Sequence, residues 1–180
     1  METLRLSCHP DQPAAAVSAV ECAVLGVDPH WLRLRWRVES ADRVKVPPFA
    51  GRGTADGLWQ RTCFELFLRS PGQGSYSEIN LSPSERWAAY DFTSYREGME
   101  PRAMARDCNC TLRRGGNLLI FDAAIPLGTL PAMPWQIAVA AVIEEDDGLR
   151  SYWALHHAEG RADFHNPACF TALLTAPVTA

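Results

Sequence analysis

Alternation of apolar and polar residues is sharpest over residues 30–39. Leu32, Leu34, Trp36 and Val38 fall on one side there, and Arg33, Arg35, Arg37 and Glu39 on the other. A period of two is the mark of a half-buried strand. The same reading gives strands over 3–8, where Leu4, Leu6 and Cys8 alternate with polar residues, and over 20–27. Residues 44–46 read as a short strand segment stopped by Pro47-Pro48, and 49–57, with three glycines and no period, is a loop. Residues 93–107 lack a strand pattern and leave room for a short helix or an ordered loop. Further on, 109–112 and 118–125 flank Arg113-Arg114-Gly115-Gly116-Asn117, a hairpin signal. Residues 135–144, 149–155 and 169–174 read as strands around a polar loop over 156–167. About nine to eleven short, evenly spaced strands without a long amphipathic helix predict an antiparallel β-sandwich of jelly-roll or Ig-like type. No repeat or linker divides it, so residues 1–180 are expected to form one domain.

The centre of this pattern is 58–92, which reads as three strands over 60–69, 76–81 and 86–92. They are joined by turns at Ser70-Pro71-Gly72-Gln73-Gly74 and Ser82-Pro83-Ser84-Glu85. Centring the first turn on Gly72-Gln73 sets Phe64 opposite Leu81, Leu66 opposite Ile79 and Leu68 opposite Ser77. That face is apolar and is expected to be core. Centring the second on Pro83-Ser84 sets Ile79 opposite Ala88 and gathers Glu65, Asn80 and Trp87 in one row of the other face, with Glu78 in the next. A slip of one residue would drive the carboxylates into the core. An aromatic and carboxylate face suits a binding surface; an ordinary solvated face is the competing reading.

Charge narrows the partners. The chain carries 17 Lys and Arg against 21 Asp and Glu, a net charge of −4, and Lys45 is its one lysine. Without a basic block, nucleic-acid binding is not expected. No apolar run approaches the roughly 18 residues of a membrane span. The first residues lack the pattern of a secretory signal, so a cytoplasmic location is expected, and the six cysteines are expected to be free thiols. Cys108-Asn109-Cys110 reads as two strand thiols on one face.

Leu58-Trp59-Gln60-Arg61-Thr62-Cys63-Phe64-Glu65-Leu66-Phe67-Leu68, then 76–83, Trp87-Ala88-Ala89-Tyr90 and Tyr95-Arg96, resemble the DOMON-like domains related to family 9 carbohydrate-binding modules. Residues 152–156 and Asp163-Phe164-His165 fit the same group of small bacterial proteins, so the resemblance runs from about Val44 to Phe170. It implies a β-sandwich that binds a ligand, sugar or haem, and is not an enzyme. In the carbohydrate-binding modules the sugar lies between tryptophans. Trp59 is the residue that best matches one of them, and Trp153 and Trp87 compete for the other.

Six tryptophans are many for this length, and an indole packs against the apolar face of a sugar whose hydroxyls carboxylates, amides and arginine satisfy. Trp36 and Trp135 sit in strand patterns and are expected in the core. Trp59, Glu65, Glu78, Asn80, Trp87 and Arg96 are the candidate ligand-binding set, with a saccharide the expected ligand. A structural hydrogen bond or salt bridge is the other reading of Glu65. Three alternatives stand beside this: a metal site of His156, His157, Asp163 and His165; haem held by Met99 or Met104 with a histidine; and a glycoside-processing pair of Glu65 and Glu78. No GxSxG, P-loop or GxGxxG motif is present, so serine hydrolase, NTPase and dinucleotide readings lack support.

Overall fold

A computed structural model describes residues 3–176. Its strands are β1 (Thr3–Cys8), β2 (Ala19–Val27), β3 (Trp31–Glu39), β4 (Gly53–Thr54), β5 (Cys63–Arg69), β6 (Tyr76–Leu81), β7 (Arg86–Phe92), β8 (Glu100–Pro101), β9 (Asn109–Gly115), β10 (Leu118–Pro126), β11 (Trp135–Glu144), β12 (Arg150–Ala154) and β13 (Ala172–Leu174). Three single 3₁₀ turns, Ala41–Arg43, Leu58–Gln60 and Pro167–Cys169, are the helical segments among the described residues, and none is long and apolar enough to cross a membrane.

All thirteen strands belong to one hydrogen-bonded sheet, two to four more than expected. The additions are mostly two-residue strands, β4 and β8, which lie in stretches without periodicity and exist because their backbones pair with β7. β4 runs parallel to β7, so the sheet is mixed. The sheet is continuous because β1 serves both halves: Thr3–Leu6 pairs with β2, and Ser7 and Cys8 pair with β12. The sheet curls so that its two halves face one another. Phe64 of β5 stacks on Phe121 of β10 with centroids 4.4 Å apart, and Trp36 of β3 lies 5.5 Å from Phe64.

The core follows the alternation. Leu32, Leu34, Trp36 and Val38 are buried, while Arg35, on the other face of β3, donates to Asp122 at 2.6 Å. On β5 and β6, Phe64, Leu66, Leu68, Ile79 and Leu81 are sealed, in the expected register. The six cysteines are unpaired.

The second register differs from expectation by one residue. β6 and β7 align Leu81 with Trp87, Ile79 with Ala89 and Glu78 with Tyr90. The loop has three residues, Pro83-Ser84-Glu85, closed by Ser82 N donating to Arg86 O at 2.9 Å, with Glu85 in the left-handed region at φ 68°. The sequence predicts a two-residue turn at Pro83-Ser84; one more residue moves every side chain of β7 to the opposite face. Trp87 therefore lies in the main core, 5 % exposed, donating from Nε1 to Asp107 at 3.1 Å.

Candidate functional site

The face of β5–β7 and β11 turned away from the main core carries a second, smaller cluster. Register places Ala154, Ala140, Glu65, Asn80 and Ala88 in one row, and Ala138, Phe67, Glu78 and Tyr90 in the next. Ala140, beside Glu65 on the neighbouring strand, leaves space above that carboxyl. Two segments roof this face without closing it. From one side comes the stretch 162–170, whose Phe164 and Phe170 pack on Phe67. From the other comes the 3₁₀ turn Leu58–Gln60, which starts from Gly57 at φ 71°, a conformation glycine adopts without steric cost. Between them lies a cleft of about 430 Å³.

Glu65 and Glu78 form its floor. They are diagonal neighbours across β5 and β6, since Glu65 opposes Asn80 and Phe67 opposes Glu78. Such positions are about 7–8 Å apart at the backbone, within reach of long side chains. Glu78 Oε1 accepts from Asn80 Nδ2 at 2.8 Å, whereas Glu65 Oε1 is buried without a partner. Burial, with Glu78 adding like charge, holds the Glu65 carboxyl well above the usual carboxylate range. Burial also raises Glu78, opposed by the Asn80 bond and by Arg96.

One wall is built around Asp163. Its Oδ1 accepts from Arg96 Nη2 at 2.7 Å and from His165 N at 3.1 Å, and Tyr95 donates to its other oxygen. Burial would raise the Asp163 carboxyl, but Arg96 and Tyr95 outweigh it and hold it low. The Tyr76 hydroxyl accepts from Arg96 N at 3.2 Å and lies 2.8 Å from His165 Nδ1. With its own proton it donates to Nδ1, leaving the Nε2–H of a neutral imidazole facing Glu78 Oε2 at 3.7 Å. Burial and Arg96 push His165 down to about 4, which keeps it neutral near pH 7.

The opposite wall is Trp59, 40 % exposed, with Tyr152 and Val142 beside it. Arg150 Nη1 donates to the Gln60 carbonyl at 3.2 Å and fixes the turn that presents the indole. Phe92 and Met99 complete the lining near Arg96.

Of the candidate set, the structure brings Trp59, Glu65, Glu78 and Arg96 together around this cleft. Asn80 is fully buried behind the floor and acts on it through Glu78. Trp87 is on the opposite face. Trp153, the other competitor for a second stacking tryptophan, is also in the main core, donating to Ser151 at 2.9 Å. Asp163 and His165, which the sequence offers as metal ligands, line this cleft as well. The structure separates them from His157, which bonds the Ser7 carbonyl and packs on His9. Among the described residues no three His, Cys, Asp or Glu side chains converge to hold an ion. Of the two methionines, Met99 lines the cleft and Met104 packs against the main core. Arg150 and Tyr152 share one face of β12, opposite Ser151 and Trp153; that alternation was readable, but not which side faced a cleft.

No family model matches this chain, nor does any curated protein. Among solved structures it is similar to a candidate carbohydrate-binding protein from Bacteroides uniformis, with a TM-score of 0.63 and 16 % identity over 93 % of this chain and 83 % of that one. A family 9 carbohydrate-binding module from Caldicellulosiruptor kristjanssonii gives TM-scores of 0.46 in its glucose complex and 0.49 in its cellotriose complex, at 13 % and 12 % identity. These alignments cover 79 % and 87 % of this chain and 69 % and 75 % of the module. The first likeness establishes the fold.

Proposed function

We propose that the cleft binds a small saccharide and that the protein is a binding domain, not an enzyme. The observation that carries this is the pairing of an exposed indole, Trp59, with a buried, unpartnered carboxyl oxygen of Glu65 in one cavity. A sugar offers an apolar face to the first and hydroxyl donors to the second. The volume of about 430 Å³ suits a ligand of one or two rings. The fold shared with the Bacteroides uniformis protein supports this reading, as does the resemblance of 58–68 to carbohydrate-binding modules. The two facing halves of the sheet likewise support a β-sandwich description of the architecture. Haem suits the cleft less well: the His165 Nε2 that would ligate iron faces Glu78 Oε2 at 3.7 Å, on the carboxyl floor.

A glycan array followed by calorimetric titration of each hit tests the proposal. Trp59→Ala should weaken saccharide binding at least tenfold and leave the melting temperature nearly unchanged, because the residue is half exposed. Trp87→Ala should do the reverse. Emptying its core site should cost about 3–5 kcal/mol of stability without acting directly on the cleft. An array without hits, or binding indifferent to Trp59, would sink the proposal.

A further inference from the structure

The floor of the cleft is short of donors. Glu65 is 2 % exposed, lines the cavity, and its Oε1 meets no hydrogen-bond donor. Glu78, 5 % exposed, uses Oε1 for Asn80 and has only the distant His165 imidazole near Oε2. Buried acceptors are costly until a donor reaches them. Three carboxyl groups line the cleft (Glu65, Glu78 and Asp163) against two guanidiniums. One of these, Arg96, is committed to Asp163, and the other, Arg150, is held at the rim by the Gln60 carbonyl. The depth of the cleft is therefore acidic and acceptor-rich, and its walls are aromatic: Trp59, Phe92, Tyr152 and Phe164. Aromatic faces attract cations.

We infer that the saccharide of this cleft is an amino sugar whose primary ammonium group seats between Glu65 and Glu78. The inference rests on the saccharide reading and narrows it. A hydroxyl would satisfy one acceptor and leave two carboxyls facing each other. An ammonium has three N–H donors, reaches both, and lets both ionise without mutual repulsion. In the empty cleft Glu65 holds a proton in place of this cation, because burial beside Glu78 disfavours its ionised form. Binding the ammonium ion then discharges that proton to solvent.

Calorimetric titration of the full chain with 2-amino-2-deoxyglucose, its N-acetyl derivative and glucose tests this. The amine should bind at least tenfold more tightly than the other two. Repeated in buffers of different ionisation enthalpy, the amine should release close to one proton and the neutral sugars none. Glu65→Gln keeps the shape of the protonated acid. It should erase both the preference for the amine over glucose and the proton release. Glucose or the N-acetyl sugar binding as tightly as the amine, or amine binding without proton release, would overturn the inference and leave the saccharide reading standing. No binding of any of the three would overturn the inference, and the glycan array then decides the saccharide reading separately. The proton count on the wild-type protein decides the matter even if Glu65→Gln fails to fold.

Discussion

The residue that most sets the character of this protein is Glu65. It sits between Phe64 and Leu66, both in the main core, and faces the other way, so strand alternation alone delivers a carboxyl to the floor of a cavity. Its protonation couples to stability with a definite sign. Burial, with Glu78 second, holds its folded value well above the ordinary 4.5, so the folded protein keeps a proton the unfolded chain gives up. The stability this contributes is complete below pH 4.5 and is lost as pH rises through the folded value. His165 acts in the opposite direction. Held down to about 4, it contributes stability that is present above 6.5 and is lost as pH falls toward 4. From pH 4.5 upward, wild type should lose stability relative to Glu65→Gln, measured as the difference in chemical unfolding free energy, in which the His165 contribution common to both proteins cancels. A difference that stays flat with pH would mean that Glu65 carries no proton in the folded state.

At the scale of elements, the hairpin between β6 and β7 decides which side chains reach the cleft. Its three-residue loop, with Glu85 at φ 68°, turns Trp87 and Ala89 inward and Ala88, Tyr90 and Phe92 toward the cleft face. Deleting Ser84 would leave a two-residue loop and exchange the faces of β7, so Trp87 would be driven onto the carboxyl floor. That variant should lose its cooperative unfolding transition. Glu85→Gly keeps the count and supplies a residue at ease with positive φ, so it should fold with a melting temperature at or above that of wild type. The two variants, compared by circular dichroism on heating, separate loop length from loop composition. A cooperative transition in the Ser84 deletion would show that β7 does not depend on this register.

Across the whole molecule, one sheet curls to make the core, and irregular segments complete the site on its outer face. The Asp163 hub joins the stretch 162–170 to Arg96 and Tyr95, far away in sequence. Asp163→Ala should cost roughly 1–2 kcal/mol, and hydrogen exchange should rise mainly over 162–170, with saccharide affinity falling several-fold; exchange rising across the core strands instead would make the hub a determinant of the whole fold. The sequence determined the strands of the core, because burial of one face imposes a period of two that is written locally: Leu32 to Val38 and Phe64 to Leu68 were legible, as was the β5–β6 register through a turn flanked by matching apolar sets. It also singled out Trp59, Glu65, Glu78 and Arg96, by residue type and by resemblance. What only the tertiary structure decided depends on contacts without local period. The extra residue in the β6–β7 loop, the two-residue strands and the fold of 156–170 over the sheet are set by pairing with distant backbone and by Asp163, Tyr76 and Arg96 meeting in space. Asn80 and Trp87 left the cleft, and Asp163 and His165 joined it, for that reason: a strand's alternation names two faces, and only the packing of the rest of the chain decides what covers each.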